Sequence, residues 1–238
     1  MGSRIPSVRR IDFGYFVRPT DETGTGKPRV ECVLGYAVEH SAGLLLFDTG
    51  LGEGDPEVEA HYRPLRRPLP VALRDAGLAM NDVQWVVNCH LHFDHCGGNP
   101  ALAGRPIFVQ SRELRAARTA TDYTLSHLID FDGAEYRQID GETEILPDVL
   151  AIPTPGHTDG HQAIAVRGKD GTVVLAGQAL SFSSDYARHQ YSHELALAGE
   201  EHAPYPDWIA RFHEFDPVRV HFAHDRAIWQ RDVAESIR

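Results

Sequence analysis

The segment 88–99, Asn-Cys-His-Leu-His-Phe-Asp-His-Cys-Gly-Gly-Asn, holds the densest set of reactive side chains in this sequence. Three imidazoles and one carboxylate fall within six residues, at His90, His92, Asp94 and His95. Imidazole is the commonest metal ligand at neutral pH, whereas burying four such polar groups without partners would cost several kcal/mol. The residue types and their spacing therefore predict a metal site rather than a piece of core.

The apolar run Trp85-Val86-Val87 directly precedes this segment, so the ligands follow a predicted strand. If the chain stays extended through His90 and His92, both side chains point to one side and suit a single ion. Asp94 and His95 then lie where the chain bends and can reach a second ion or a water. A closed structural zinc site needs no such surplus of ligands, whereas a hydrolytic site keeps one position open for water and can use two ions about 3.5–4 Å apart.

Two further histidines follow predicted strands elsewhere in the chain. His157 lies in Thr-Pro-Gly-His-Thr, just after a strand that ends at Ile152, where the proline and glycine favour an exposed loop. His224 follows the strand that begins at Arg219. The other nine of the 14 histidines lack a motif and are interpreted as surface or hydrogen-bonded side chains: His40, His61, His127, His161, His189, His193, His202, His213 and His221.

The order of these motifs resembles that of the metallo-β-lactamase superfamily and, within it, of the N-acyl homoserine lactonase group. The similarity runs through nearly the whole chain, in the segments 47–50, 90–99, 153–162, 176–179 and 222–225. It implies an α/β fold, the αβ/βα four-layer metallo-β-lactamase sandwich, with two mixed sheets flanked by helices and metals at one edge of the sheets. Residues 1–238 are accordingly expected to form a single domain.

The resemblance also implies a set of metal ligands, with zinc as the expected ion and iron, cobalt or manganese as alternatives. The family's two sites fall on His90, His92 and His157 for the first ion, and on Asp94, His95 and His224 for the second. The family's seventh ligand is an aspartate that bridges both ions, and this chain has Gln178 at that position. An amide oxygen is a weaker donor than a carboxylate, so we expect the second ion to be loosely held or absent.

The chemistry that such a site predicts is attack of a metal-bound hydroxide on an ester-like carbonyl, preferably that of a lactone. Asp94 is the candidate group that accepts the proton and returns it to the leaving alkoxide. Lactonases of the group place a substrate-binding tyrosine three residues after the bridging aspartate; this chain has Ser181 there, with Tyr186 as a candidate replacement. Six side chains are candidates for an apolar acyl pocket or, at least as readily, for the core: Phe16, Phe93, Tyr123, Leu125, Phe131 and Phe182.

Three classes of function stay open at this point. The first is a lactone or related ester hydrolase similar to the quorum-quenching lactonases. The second is another enzyme of the same fold, such as a thioesterase, a biosynthetic hydrolase or a mononuclear iron oxidoreductase of the persulfide dioxygenase type. The third is a binding or biosynthetic protein that keeps the fold with altered chemistry or a compromised metal site, because Gln178 replaces the bridging aspartate.

The charge and composition of the chain narrow the range of molecules that the protein is expected to bind. The 23 basic and 34 acidic side chains give a formal charge of −11, which disfavours nucleic acid and anionic membranes and favours a neutral small molecule. No run of 18 apolar residues and no signal-like start occurs, so we expect a cytoplasmic monomer or homodimer. Cys32, Cys89 and Cys96 form no Cys-x-x-Cys pair and are predicted to be reduced thiols.

The elements that must position these ligands follow from apolar periodicity and turn residues. Strands are predicted at 32–38, 44–47, 85–87, 107–109, 149–152, 162–166, 172–176 and 219–223. Helices are predicted at 68–76, from Ser111 onward, at 205–215 and at 227–237, and 123–136 is predicted to be a loop. This alternation indicates two packed sheets covered by helices, with the ligand segments in loops that follow strands.

Overall fold

The structure, a computed structural model, describes residues 6–231. Within them, two β-sheets pack face to face and helices cover both outer faces. The first sheet has the spatial order β4-β1-β2-β3-β5-β6-β7. Its strands are β1 (Ser7–Arg18), β2 (Arg29–His40), β3 (Gly43–Phe47), β4 (Leu65–Arg66), β5 (Val83–Val87), β6 (Pro106–Gln110) and β7 (Glu135–Ile139).

The second sheet has the spatial order β13-β12-β11-β10-β9-β8. Its strands are β8 (Thr143–Leu146), β9 (Val149–Pro153), β10 (Gln162–Gly168), β11 (Gly171–Leu175), β12 (Arg219–His221) and β13 (Trp229–Gln230). Parallel pairs such as β3 with β5 and β11 with β12 lie beside antiparallel pairs such as β9 with β10, so both sheets are mixed. The predicted arrangement of two mixed sheets is confirmed.

Helices α1 (Pro56–Tyr62), α2 (Leu69–Asp75) and α3 (Ser111–Thr119) pack on the first sheet, and α4 (Ser183–Leu197) and α5 (Trp208–Glu214) pack on the second. Short 3-10 helices span Met80–Asp82, Asn99–Leu102 and Ser126–Leu128. None of the helices in residues 6–231 combines the length and the apolar composition that a membrane span requires.

Strand β3 illustrates how a strand of these sheets is buried on both faces. Its side chains alternate, so that Leu44 and Leu46 pack toward the helices of the first sheet, whereas Leu45 and Phe47 pack between the two sheets. All four are nearly inaccessible, which makes the strand read as a continuous apolar run. The second sheet repeats this pattern, and the layers follow as helix, sheet, sheet and helix.

Several elements differ from the sequence-based expectations, which also lacked the strands β4, β7 and β8. The helix predicted at 227–237 is wrong in its described part, where the chain forms β13 because Trp229 packs beside Tyr186; residues 232–237 lie outside the described residues. Strand β1 was not predicted, because a bulge at Gly14 interrupts its alternation. Helices α1 and α4 were not predicted either, and α1 contains no fully buried side chain that would mark an apolar face.

Candidate metal centre

Loops that follow β3, β5, β9, β11 and β12 meet at one edge of the two sheets and carry the predicted ligands. Backbone hydrogen bonds join these loops: Gln162 N–H donates to Cys89 O at 2.8 Å, and Ala223 N–H donates to Gly177 O at 2.8 Å. Because the rigid strands end together here, side chains that lie far apart in the sequence are brought into contact.

Two glycines permit this close assembly. Gly177 has φ +56, and a Cβ there would lie 2.5 Å from the Cβ of Cys89. A Cβ on Gly97 would lie 2.0 Å from the backbone nitrogen of Gly52. Neither position tolerates a side chain, so both turns require glycine.

His90, His92 and His157 form what we call the three-histidine group. The Nε2 atom of His157 lies 3.2 Å from Nε2 of His90 and 3.2 Å from Nδ1 of His92. His90 is fully buried, His92 is half-buried and His157 is exposed. Three ring nitrogens therefore converge on one point that is open on the side of His157.

The protonation state of this group suits a metal. Burial lowers the pKa of His92 to about 4, and burial followed by the neighbouring imidazole of His95 lowers the pKa of His90 well below its ordinary value. Both rings are consequently neutral at pH 7, and neutral imidazole is the form that ligates metals.

Asp94, His95 and His224 form a second set, which we call the aspartate-histidine group. Oδ2 of Asp94 lies 3.4 Å from Nε2 of His95 and 3.4 Å from Nε2 of His224, and the two ring nitrogens are 3.2 Å apart. All three residues are buried. This second convergence of donors lies beside the first, because His90 and His95 rings are only 4.1 Å apart between centroids.

The aspartate-histidine group stabilises positive charge. Burial by itself would raise the pKa of Asp94, but His95 and His224 hold it well below its usual range. Burial by itself would lower the pKa of His95, but Cys89, Asp94 and Asp48 raise it well above the ordinary value. A cation placed among these donors is therefore favoured, whether it is a proton or a metal.

Outer contacts orient the ring nitrogens. Oδ2 of Asp48 lies 2.9 Å from Nδ1 of His95, and Oδ1 accepts the backbone N–H of Cys89 at 2.8 Å. Nδ1 of His224 donates to the backbone oxygen of Cys32 at 2.8 Å. Since Nδ1 of His95 and Nδ1 of His224 are occupied in this way, Nε2 of both rings is left to face the site.

Gln178 lies at the inner wall of the aspartate-histidine group. Its side-chain oxygen is 3.1 Å from Nε2 of His95, and its backbone N–H donates to Nε2 of His161 at 3.1 Å. The other nitrogen of His161 lies 2.7 Å from the hydroxyl of Thr154. His161, interpreted from the sequence as a filler without a motif, thus positions the turn that carries Gln178.

A cavity of about 660 Å³ opens onto both groups. Tyr62 stacks on Phe93 in its wall, with ring centroids 5.1 Å apart, and no motif in the sequence marks Tyr62. Of the six predicted pocket residues, Phe16, Phe93, Tyr123 and Leu125 line the cavity, whereas Phe131 and Phe182 do not. The other lining residues are Arg18, Glu22, Asp55, Glu57, Val58, His61, His92, Asp94, Asp122, Thr124, His157 and Gln178.

The two hydroxyl groups predicted to bind substrate, those of Ser181 and Tyr186, do not belong to the lining of this cavity. Tyr186 is 1% exposed and packs among Phe212, Phe222 and Trp229 in the core of the second sheet. Ser181 is half-buried and does not line the cavity. That either hydroxyl contacts the substrate stays a prediction. In this structure α4 turns Tyr186 inward, where its ring completes the apolar layer under the helix.

The donor set fits a divalent metal. Five imidazoles and one carboxylate supply the donor atoms, and within each of the two groups these atoms lie within 4.8 Å of one another. Nitrogen-rich sets with one carboxylate suit borderline cations such as zinc, and the open side of the cavity leaves room for water and substrate. All six predicted ligands are thus brought together, and the amide of Gln178 lies where the resemblance implied a carboxylate as the seventh ligand.

Sequence comparisons identify similar proteins. The profile described as the metallo-beta-lactamase superfamily matches residues 33–234. An N-acyl homoserine lactonase from a Bacillus species is 30% identical over 206 residues, covering 80% of this chain and 80% of that protein. A Bacillus thuringiensis N-acyl homoserine lactonase is 31% identical over 180 residues, covering 69% of this chain and 68% of its own length.

The fold is also similar to that of a solved structure. An N-acyl homoserine lactone hydrolase, with the product N-hexanoyl-L-homoserine bound at its catalytic metal centre, superposes with a TM-score of 0.73. The two sequences are 25% identical, and the match covers 99% of this chain and 97% of the other. The similarity therefore includes both sheets and the edge at which the ligands meet.

Proposed function

Because this chain belongs to the metallo-beta-lactamase superfamily, we propose that it is a metal-dependent hydrolase that opens lactones, with N-acyl homoserine lactones as its substrate class. The observation that carries the proposal is the convergence of the three-histidine and aspartate-histidine groups at one cavity. The named activity of the lactonase relatives supports the choice of substrate.

Zinc is the metal that we propose, because five of the six donors are imidazole nitrogens and the sixth is a carboxylate, and both are ligands that zinc takes in catalytic sites. His90, His92 and His157 would hold one ion, and Asp94, His95 and His224 the other. A bound zinc ion supplies a nucleophile at neutral pH by lowering the pKa of water, and it polarises a carbonyl oxygen as a Lewis acid.

Asp94 moves the proton in this proposal. Its carboxylate is ionised at neutral pH, since neighbouring His95 and His224 keep its pKa low, and it lines the cavity. It can therefore accept a proton from the attacking water and return it to the ring oxygen as the ester C–O bond breaks. The product is the hydroxy acid, which loses one proton to solvent at neutral pH.

The cavity walls orient the acyl chain. Tyr62 and Phe93 stack beside the ligands and offer an aromatic surface on which an acyl group can lie. Charged residues such as Glu57 and Asp122 line the cavity too, and both are exposed, which suits a mouth open to solvent. A neutral amphipathic ester with a polar ring and an apolar tail matches this distribution.

The test is hydrolysis of a substrate panel by zinc-loaded protein: N-hexanoyl homoserine lactone, an unacylated lactone, a thioester and a β-lactam. We expect both lactones to be opened and the acylated one to have the higher kcat/KM. Asp94→Asn, which keeps the size of the side chain, should lower kcat by about 100-fold or more. Turnover of the thioester or β-lactam without turnover of either lactone would contradict the proposal.

A further inference from the structure

Glu113, the third residue of α3, has no part in the hydrolysis described above, yet it is only 1% exposed. Its carboxylate accepts three hydrogen bonds. Leu91 N–H and the Tyr123 hydroxyl donate to Oε1 at 2.7 Å and 2.5 Å, and the Thr158 hydroxyl donates to Oε2 at 2.7 Å. These three hydrogen bonds link the segments strongly, because the loss of any donor would leave the buried carboxylate of Glu113 with fewer partners than it needs.

Two of these donors belong to the segments that carry the three-histidine group. Leu91 is the residue between His90 and His92, so a hydrogen bond to its backbone N–H restrains the backbone that carries both ligands. Thr158 directly follows His157 in the loop after β9. One carboxylate therefore spans the two segments whose separation sets the distance between these ring nitrogens.

The third donor extends the link to the cavity. Tyr123 lines the cavity, and its ring centroid lies 4.7 Å from that of His92. Its hydroxyl donates a hydrogen bond to Glu113, and its ring faces His92 and the cavity. The wall of the cavity is thus fixed to the same carboxylate as the ligands.

A backbone contact points to the same role independently. A Cβ on Gly160 would lie 2.4 Å from the backbone nitrogen of Glu113. The loop that carries His157 therefore lies directly against the first turn of α3, and glycine is required for that approach.

We propose that Glu113 is a positioning residue for the three-histidine group, which fixes His157 relative to His90 and His92 and thereby sets the affinity of that group for zinc. The inference rests on the proposed function only where turnover is measured. Zinc binding tests it without any assumption about the substrate.

The experiment measures zinc affinity by competition with a chromophoric chelator for Glu113→Gln in two backgrounds. His224→Ala leaves the three-histidine group intact, and there we expect the affinity to fall by about 10-fold to 100-fold. His92→Ala leaves the aspartate-histidine group intact, and there we expect no change. The visible spectrum of cobalt-loaded protein should shift only in the first background.

Matched variants separate positioning from general damage. Glu135→Gln removes one exposed carboxylate and should leave zinc affinity unchanged. Thr158→Val breaks one link while the carboxylate stays, so it should give a smaller loss of affinity in the His224→Ala background. If Glu113→Gln does not fold, Thr158→Val and Tyr123→Phe decide the question in its place.

Two results would overturn the proposal. One is that Glu113→Gln leaves the zinc affinity of the His224→Ala protein unchanged. The other is that it lowers zinc affinity equally in the His224→Ala and His92→Ala proteins. The substrate panel gives a separate answer. If no variant opens any lactone while Glu113→Gln still weakens zinc in the first background, the proposed function fails and the positioning role stands.

Discussion

The side-chain oxygen of Gln178 lies 3.1 Å from Nε2 of His95, at the wall of the aspartate-histidine group. An aspartate at this position would add a negative charge between the two groups of ligands, and the amide does not. Since two unit charges 4 Å apart interact by about 4 kcal/mol at an effective dielectric constant of 20, one missing charge matters for a pair of dications. The centre is therefore expected to hold its two ions with unequal strength.

Restoring the charge should strengthen metal binding. We expect Gln178→Asp to bind more zinc per chain than the native protein at limiting zinc, with an affinity higher by about tenfold or more. Elemental analysis after dialysis against a zinc buffer measures this. Gln178→Asn is the matched control, because it has the shape of the aspartate without the charge, and equal zinc content in both variants would remove charge as the explanation.

The orienting contact of Asp48 should be as important as a ligand. Asp48→Asn removes the charge that holds Nδ1 of His95, so zinc affinity should fall by about 10-fold to 100-fold. Asp48 has φ +64, a conformation that asparagine also tolerates, so the turn itself is preserved. Unchanged affinity, measured by chelator competition, would show that His95 is oriented by other contacts.

The stacked wall should select for the acyl chain. Tyr62→Ala removes one ring of the pair with Phe93, and kcat/KM for a long-chain acyl homoserine lactone should fall by about 3-fold to 10-fold. The unacylated lactone should be affected much less, since it does not reach the wall. Tyr191→Ala, at an exposed position of α4, is the control, and an equal loss for both substrates would contradict a role in chain selection.

Protonation of Glu31 should lower the free energy of unfolding in acid. Burial by itself would raise the pKa of this carboxyl, but the hydrogen bond from Arg18 and the charges of His224 and Arg18 lower it below the ordinary value of 4.5. The unfolded chain then binds more protons than the folded chain below that pH, so the free energy of unfolding decreases as the pH falls through the folded pKa.

Urea unfolding at several pH values on both sides of 4.5 measures this effect. Glu31→Gln should be less stable than the native protein at neutral pH, and its stability should depend less on pH in the acidic range. Parallel pH profiles of the two proteins would show that Glu31 contributes nothing to acid sensitivity.

The side chains that converge at this edge of the sheets could be located from the sequence because their signal is local. His90, His92, Asp94 and His95 lie in one short segment, and His157 and His224 follow strands that apolar runs mark clearly. The two packed sheets also follow from such runs, since strands buried on both faces are continuously apolar.

Residues that act through long-range contacts were not accessible in this way. Glu113 lies on a helix that reads as amphipathic, and its role depends on Leu91 and Thr158, which are 22 and 45 residues away. His161 likewise gains its role from the backbone of Gln178. Such partners are set by tertiary packing, and no spacing in the sequence marks them.

The most direct test of the account is a zinc titration of metal-stripped native protein in which bound zinc and hydrolysis of N-hexanoyl homoserine lactone are followed together. We predict negligible hydrolysis without metal, and a rise with bound zinc that saturates only as the weaker position fills. Hydrolysis that is independent of zinc, or its absence from the fully loaded protein, would contradict the claim that this centre opens lactones.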